Sequence, residues 1–209
     1  MARLIYVMDP MCSWCWGFAP VLQGLVEQAG AQGVQLEWVV GGLRRERAAM
    51  DQSGRARTLS YWQAVHSATG QPFNLAAGLP EGLVYDTEPA CRALVVARRI
   101  DQARVRPLAT RIQQAFYEQG RDVTQPALLV ELAGAAGIAR GGFAEHYDSQ
   151  EARAATAADF AWVENLGIAG FPTLLAECGG RLALLTNGYQ PLSILAPLLG
   201  RWLEHNIHA

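Results

Sequence analysis

The strand-like segments of this chain stand at its two ends, and a long Ala-rich stretch with helical spacing separates them. Arg3 to Met8 is a short β-branched and aromatic run ended by Asp9-Pro10, the pattern of a buried strand running into a turn. From Cys12 onward, Trp16, Ala19, Leu22, Leu25, Val26 and Ala29 recur at three- and four-residue spacing, which predicts a helix stopped at Gly30 or Gly33. Val34 to Val40 reads as a second strand, closed by Gly41-Gly42, so the opening is β-α-β. Residues 44 to 166 then carry dispersed Arg and Glu, apolar residues at helical spacing and almost no β-branched clusters. They predict helices over about 58–69, 87–101, 103–119, 124–137, 141–148 and 151–166. Thr87 with Pro89, and Thr124 with Pro126, look like caps followed by first-turn prolines. After Gly170-Phe171-Pro172, the runs Thr173 to Glu177 and Leu182 to Thr186 read as strands joined through Gly179-Gly180, and Pro191 to about His205 reads as a last helix. No repeat period or linker appears. The expected organisation is one β-α-β…β-β-α unit, residues 1–43 and 167–209, with an inserted helical domain over 44–166.

Composition excludes several functions. Charged residues make up 17% of the 209 residues against about 25% in average globular chains, and hydrophobic residues 51%, enough for a core without staples. The net charge is −2 and no basic run exceeds Arg44-Arg45-Glu46-Arg47, which argues against a nucleic-acid partner. All 17 basic residues are Arg. Chemistries that need a lysine ammonium, from Schiff bases and pyridoxal phosphate to Walker A and kinase sites, are therefore absent. The apolar run Leu4 to Met8 is shorter than a signal-peptide core, and no uncharged stretch approaches the roughly 20 residues that span a bilayer. The expectation is a soluble, cytoplasmic protein with no membrane partner. Four cysteines in that setting are not a disulfide framework, so their spacing carries chemical meaning.

Cys12 and Cys15 form a C-x-x-C within Asp9-Pro10-Met11-Cys12-Ser13-Trp14-Cys15. At a helix start, the Cys12 sulfur sits among free N–H groups at the positive end of the helix dipole, which favours thiolate over thiol. Cys15 lies on the same helical face, close enough for the pair to close a disulfide. One sulfur can attack and the other resolve. A C-x-x-C is also half a zinc site, but Cys91 and Cys178 stand alone and no His falls at ligand spacing, so no metal is expected. Gly170-Phe171-Pro172-Thr173 precedes a strand; a proline there suits an ordinary edge-strand start, and X-Pro bonds are cis in only about 5–6% of folded cases. Asp9 reads equally as a proton acceptor for Cys15 and as a plain turn residue. Cys91 and Cys178 are expected to be small buried hydrophobes. His66 and His146 are expected on helix surfaces, with His205 and His208 in the C-terminal tail.

A C-x-x-C opening the first helix and a proline before the penultimate strand are the two halves of a thioredoxin-type redox centre. The chain resembles the DsbA family of thioredoxin-like oxidoreductases, and is similar to its cytoplasmic DsbA/FrnE-like members over nearly its whole length. The resemblance implies an α/β thioredoxin-like fold with a helical domain between the second and third strands. It implies Cys12 as nucleophile, Cys15 as resolving thiol and Pro172 as a cis-proline, with the backbone of Phe171 pairing with a substrate strand. Pro20 resembles the proline that kinks the active-site helix. In this fold Trp14, Trp16, Phe18, Phe171 and Tyr189 would gather around the thiols; Trp16 and Phe18 are expected in the core, and Trp14, Phe171 and Tyr189 are the expected substrate-binding residues. The implied activity is thiol-disulfide oxidoreduction of the protein disulfide reductase or isomerase type. Its implied partners are protein or small-molecule disulfides and thiols; no bound cofactor is expected, and glutathione is the implied electron donor. Ser13-Trp14 replaces the Pro-His of DsbA, so strongly oxidising behaviour is not implied, and a cytoplasmic setting favours the reductase or isomerase direction. Two other classes stay open. A glutathione-dependent isomerase or kappa-class-like glutathione transferase shares the fold but usually has serine at the position of Cys12. A non-catalytic peptide-binding module would use the apolar rim alone.

Overall fold

The computed structural model describes residues 2–207. In chain order the elements are β1 (Arg3–Met8), α1 (Ser13–Gly30), β2 (Gln35–Val40), β3 (Arg45–Ala49), α2 (Gln52–Thr69), β4 (Val84–Asp86), α3 (Glu88–Ile100), α4 (Val105–Tyr117), α5 (Pro126–Ala135), α6 (Arg140–Tyr147), α7 (Gln150–Asn165), β5 (Thr173–Cys178), β6 (Arg181–Asn187) and α8 (Leu192–Ile207). A short 3₁₀ turn, Gln102–Arg104, links α3 to α4.

The main sheet has the order β2-β1-β5-β6. β1 is central, parallel to β2 and antiparallel to β5. Its apolar run is buried on both faces because each face has its own cover. Leu4, Tyr6 and Met8 point into the large core with α1, whereas Ile5 and Val7 join Val39, Val163 and Leu175 in a smaller cluster. Each such side chain contributes about 1.5–3 kcal/mol when taken out of water. The register sets Met8 opposite Val40 and Val7 opposite Thr173. The loop after β1, the loop after β2 and the start of β5 therefore meet at one sheet edge, and the two sequence motifs meet with them. The β5–β6 turn uses Gly179 and Gly180 at φ 58° and 77°, the two positive values a tight hairpin demands.

The helices from α2 to α7 lie in the chain between β2 and β5, with α3 at their centre, buried continuously from Ala90 to Ala97. Arg98 and Asp159 tie α3 to α7 through two 2.9 Å bonds, and Asp159 also accepts from the Val40 amide at 3.1 Å, which fastens the helices to β2. α1 meets α2 at Gly17, where a Cβ would stand 2.8 Å from Val65 and 2.9 Å from Thr69.

Residues 44 to 166 are not purely helical, as their composition suggests. β3 and β4 pair antiparallel within that stretch. β3 is fully exposed, so Arg45-Glu46-Arg47 shows no apolar alternation that could mark it as a strand. α2 begins at Gln52 rather than near 58, because Asp51 caps it by accepting from the Gly54 amide at 2.7 Å. The N-cap of α5 is Gln125; Thr124 bonds Asp122 instead. Among the described residues, no helix is long and apolar enough to cross a membrane.

Candidate active site

Asp9 builds the platform. Its Oδ1 accepts from the Met11 amide at 2.8 Å and its carbonyl from the Cys12 amide at 3.0 Å, a tight turn of the kind Asp-Pro favours. Its Oδ2 accepts from the Leu43 amide at 2.7 Å, tying the loop after β2 to the loop after β1. Tyr85 closes the underside, its hydroxyl donating to the Met11 carbonyl at 2.6 Å. Cys12 then stands as the N-cap of α1, and its carbonyl accepts from the Cys15 and Trp16 amides. The Ser13 and Trp14 amides are the first of the helix and have no acceptor within it. Pro20 lies inside α1.

Cys12 and Cys15 are free thiols. Cys12 Sγ lies 3.5 Å from the Phe171 carbonyl oxygen, and the Phe171-Pro172 bond is cis. The sheet thus brings the C-x-x-C, Phe171 and Pro172 together, Cys12 and Phe171 standing 159 positions apart in the chain. Cys12 is 5% exposed rather than open to solvent, because the Phe171-Pro172 turn covers it; Cys15 is 1% exposed. Burial pushes the Cys15 thiol well up, and the neighbouring Cys12 adds to the shift. Tyr6 sits beside the pair: burial raises its hydroxyl, with Cys15 and Cys12 adding to it. Tyr6 went unmarked in the sequence because it reads as one more apolar position of a central strand.

The Asp9 carboxylate does not bond Cys15; its Oδ2 instead accepts from Cys91 Sγ at 3.4 Å. Asp9 is fully buried, and burial raises its carboxyl above the ordinary range despite four hydrogen-bonding groups, Thr87, Leu43, Met11 and Cys91, that pull it down. Burial and the Asp9 carboxylate together push the Cys91 thiol up. Cys91 is therefore buried but polar in its contact, which its apolar sequence surroundings do not reveal. Cys178, at the end of β5, is partly exposed. His66 and His146 lie on exposed helix surfaces and His205 on α8; His208 lies outside the described residues. Among the described residues, no three His, Cys, Asp or Glu side chains gather as a metal-binding group.

The aromatic residues divide. Trp16 and Phe18 are core residues; Trp16 Nε1 donates to the Pro72 carbonyl at 2.9 Å and its ring stacks on Tyr117. Trp14 and Tyr189 are partly exposed and pair at 5.7 Å, forming an apolar surface next to the thiols. Phe171 makes no ring pair with Trp14 or Tyr189. Its ring lies on Gly41, where a Cβ would fall 2.0 Å from it, and packs toward the Val39–Val163 cluster. Its backbone carbonyl is what meets Cys12 Sγ, at 3.5 Å.

A family model described as the DSBA-like thioredoxin domain matches residues 3–199. The chain is similar to a protein provisionally assigned as a protein disulfide isomerase from Nitrosomonas europaea, with 41% identity, 98% of each chain covered and a TM-score of 0.92. It is also similar to the cytosolic disulfide reductase DsbM from Pseudomonas aeruginosa, with 29% identity, 96% of this chain and 98% of that one covered, and a TM-score of 0.79. The same reductase with GSH aligns at 0.76, again with 29% identity, 96% and 98% covered. No curated protein sequence matches.

Proposed function

Because the chain belongs to the family of DSBA-like thioredoxin domains, matched over residues 3–199, we propose that it is a thiol-disulfide oxidoreductase whose working dithiol is Cys12 and Cys15. The observation that carries this reading is Cys12 Sγ at a helix N-terminus, 3.5 Å from the Phe171 carbonyl. In the reductive direction the Cys12 thiolate attacks a substrate disulfide, forms a mixed disulfide and expels the first substrate thiolate. Cys15 then gives up its proton and attacks Cys12 Sγ, closing the Cys12–Cys15 disulfide and releasing the second thiolate. Two glutathione thiols restore the dithiol and leave as glutathione disulfide. The high pKa that burial imposes on Cys15 keeps it protonated until the mixed disulfide has formed, which separates attack from resolution.

The substrate strand lies along the Phe171 backbone, with Trp14 and Tyr189 as its apolar support. Similarity to a cytosolic reductase that has been solved with GSH supports both a cytoplasmic setting and glutathione as the donor. The test is reduction of insulin and of a glutathione mixed disulfide. Cys12→Ser should abolish both, and Cys15→Ser should abolish insulin reduction while accumulating a mixed disulfide at Cys12. Full activity of Cys15→Ser on insulin would refute the dithiol cycle. Turnover without net electron transfer would move the assignment to a glutathione-dependent isomerase.

A further inference from the structure

Behind the thiols, between α1 and α4, lies a cavity of about 190 Å³ that none of the chemistry above uses. Its inner end is formed by buried residues, Cys15, Tyr6 and Gln113, and its mouth by Gln23, Arg106 and Thr110, which are partly or fully exposed. Leu22, Val26 and Ala109 give it apolar walls. Two observations point to an occupant. Gln113 is 3% exposed, and its Nε2 has no hydrogen-bond partner among the described residues. Arg106 at the mouth bonds only the Gln23 side chain and pairs with no carboxylate among the described residues. No Asp or Glu lines the space, so the one formal charge at it is the Arg106 guanidinium beside an apolar body.

We propose that this cavity is a binding site for a small cyclic or aromatic carboxylate, its ring between Leu22, Val26 and Ala109 with the Gln113 amide facing it, and its carboxylate within reach of Arg106 and Thr110 at the mouth. The volume suits a ring of that size, since an apolar cavity of about 150 Å³ takes up benzene. A ligand there would lie against Cys15, whereas neither Cys12 nor Phe171 lines the space. The site does not depend on the redox assignment, and the experiment is done on the reduced protein in dithiothreitol.

Benzoate is the probe, titrated into protein carrying ¹³C-methyl methionine. Met8 lines the cavity, whereas Met50 packs near Thr58 on α2 and serves as the control. The expected result is a saturable shift of the Met8 methyl with no shift of Met50. Benzamide, the same shape without the charge, should bind roughly tenfold more weakly, as should benzoate to Arg106→Ala. Ala109→Leu, which fills the cavity, should abolish the shift. Arg106 is exposed, so its variant folds whatever Ala109→Leu does. No saturable Met8 shift, equal binding of benzoate and benzamide, or unchanged binding in Arg106→Ala would each overturn the proposal.

Discussion

Gly41→Ala is the sharpest single probe of how the fold holds Phe171 under the thiols. The backbone at 41 is not left-handed, so alanine is conformationally acceptable there and any effect comes from the added methyl. That Cβ would stand 2.0 Å from Phe171 Cζ and 2.2 Å from Cε1, where ordinary contact begins near 3.4 Å. The ring must therefore retreat by about 1.4 Å or rotate away. Room is scarce, because it packs against the cluster of Ile5, Val7, Val39, Val163 and Leu175. Overpacking of this kind costs about 1–3 kcal/mol. At about 2 kcal/mol, a chain of this length should lose about 6 °C in Tm. Phe171→Ala alone should cost about 2 kcal/mol, since the ring is only half-buried. The double variant has no ring to collide with, so the two losses should fall short of additive by at least 1 kcal/mol, roughly. Urea unfolding of the reduced protein reads the cycle. The rate of Cys12 alkylation reads the site, because a displaced ring pulls the Phe171 carbonyl from its 3.5 Å position at Cys12 Sγ. Additivity within about 0.5 kcal/mol would refute the ring contact as the cause.

Three further outcomes are expected. Iodoacetamide should modify Cys12 well before Cys15, because Cys15 is 1% exposed and its thiol is pushed up by burial; mass spectrometry after a short pulse decides, and faster labelling of Cys15 would contradict the order. Asp9 has its carboxyl raised above 3.8 by burial, so the folded chain holds that proton more tightly than the unfolded one; its contribution to stability is full below pH 3.8 and falls as pH rises through the folded value. Asp9→Asn should flatten that fall in urea melts taken upward from pH 3.8, and parallel curves for the two proteins would remove the assignment. Asp159→Ala should cost about 2 kcal/mol, because it strips the Arg98 guanidinium of both 2.9 Å bonds and leaves the Val40 amide unpaired; a loss below about 0.5 kcal/mol in chemical denaturation would show the clamp to be idle.

What could be read from the chain divides by the range of the forces involved. The C-x-x-C at the β1–α1 junction, the Gly179-Gly180 turn and the helices with strong apolar spacing are local patterns, and the structure has them within a few residues of the expected bounds. β3 escaped because an exposed strand has no buried face to imprint a period on Arg45-Glu46-Arg47. Phe171 was legible as a neighbour of the thiols but not in its orientation, which depends on Gly41 leaving a ring-sized space at the end of β2, two strands across the sheet from β5. Cys91 is the clearest case. Within Ala90 to Ile100 it looks like any small apolar residue, yet α3 begins where Asp9 needs a further donor, 82 positions away in the chain. A fully buried carboxylate accepting from two amides is stable only if every remaining lone pair is met or a proton is taken up. Cys91, an early residue of α3, supplies that donor at 3.4 Å, while the N-cap Thr87 makes no capping bond and gives its hydroxyl to the Arg44 carbonyl at 3.3 Å, so the start of α3 serves the loops around Asp9 as much as its own cap.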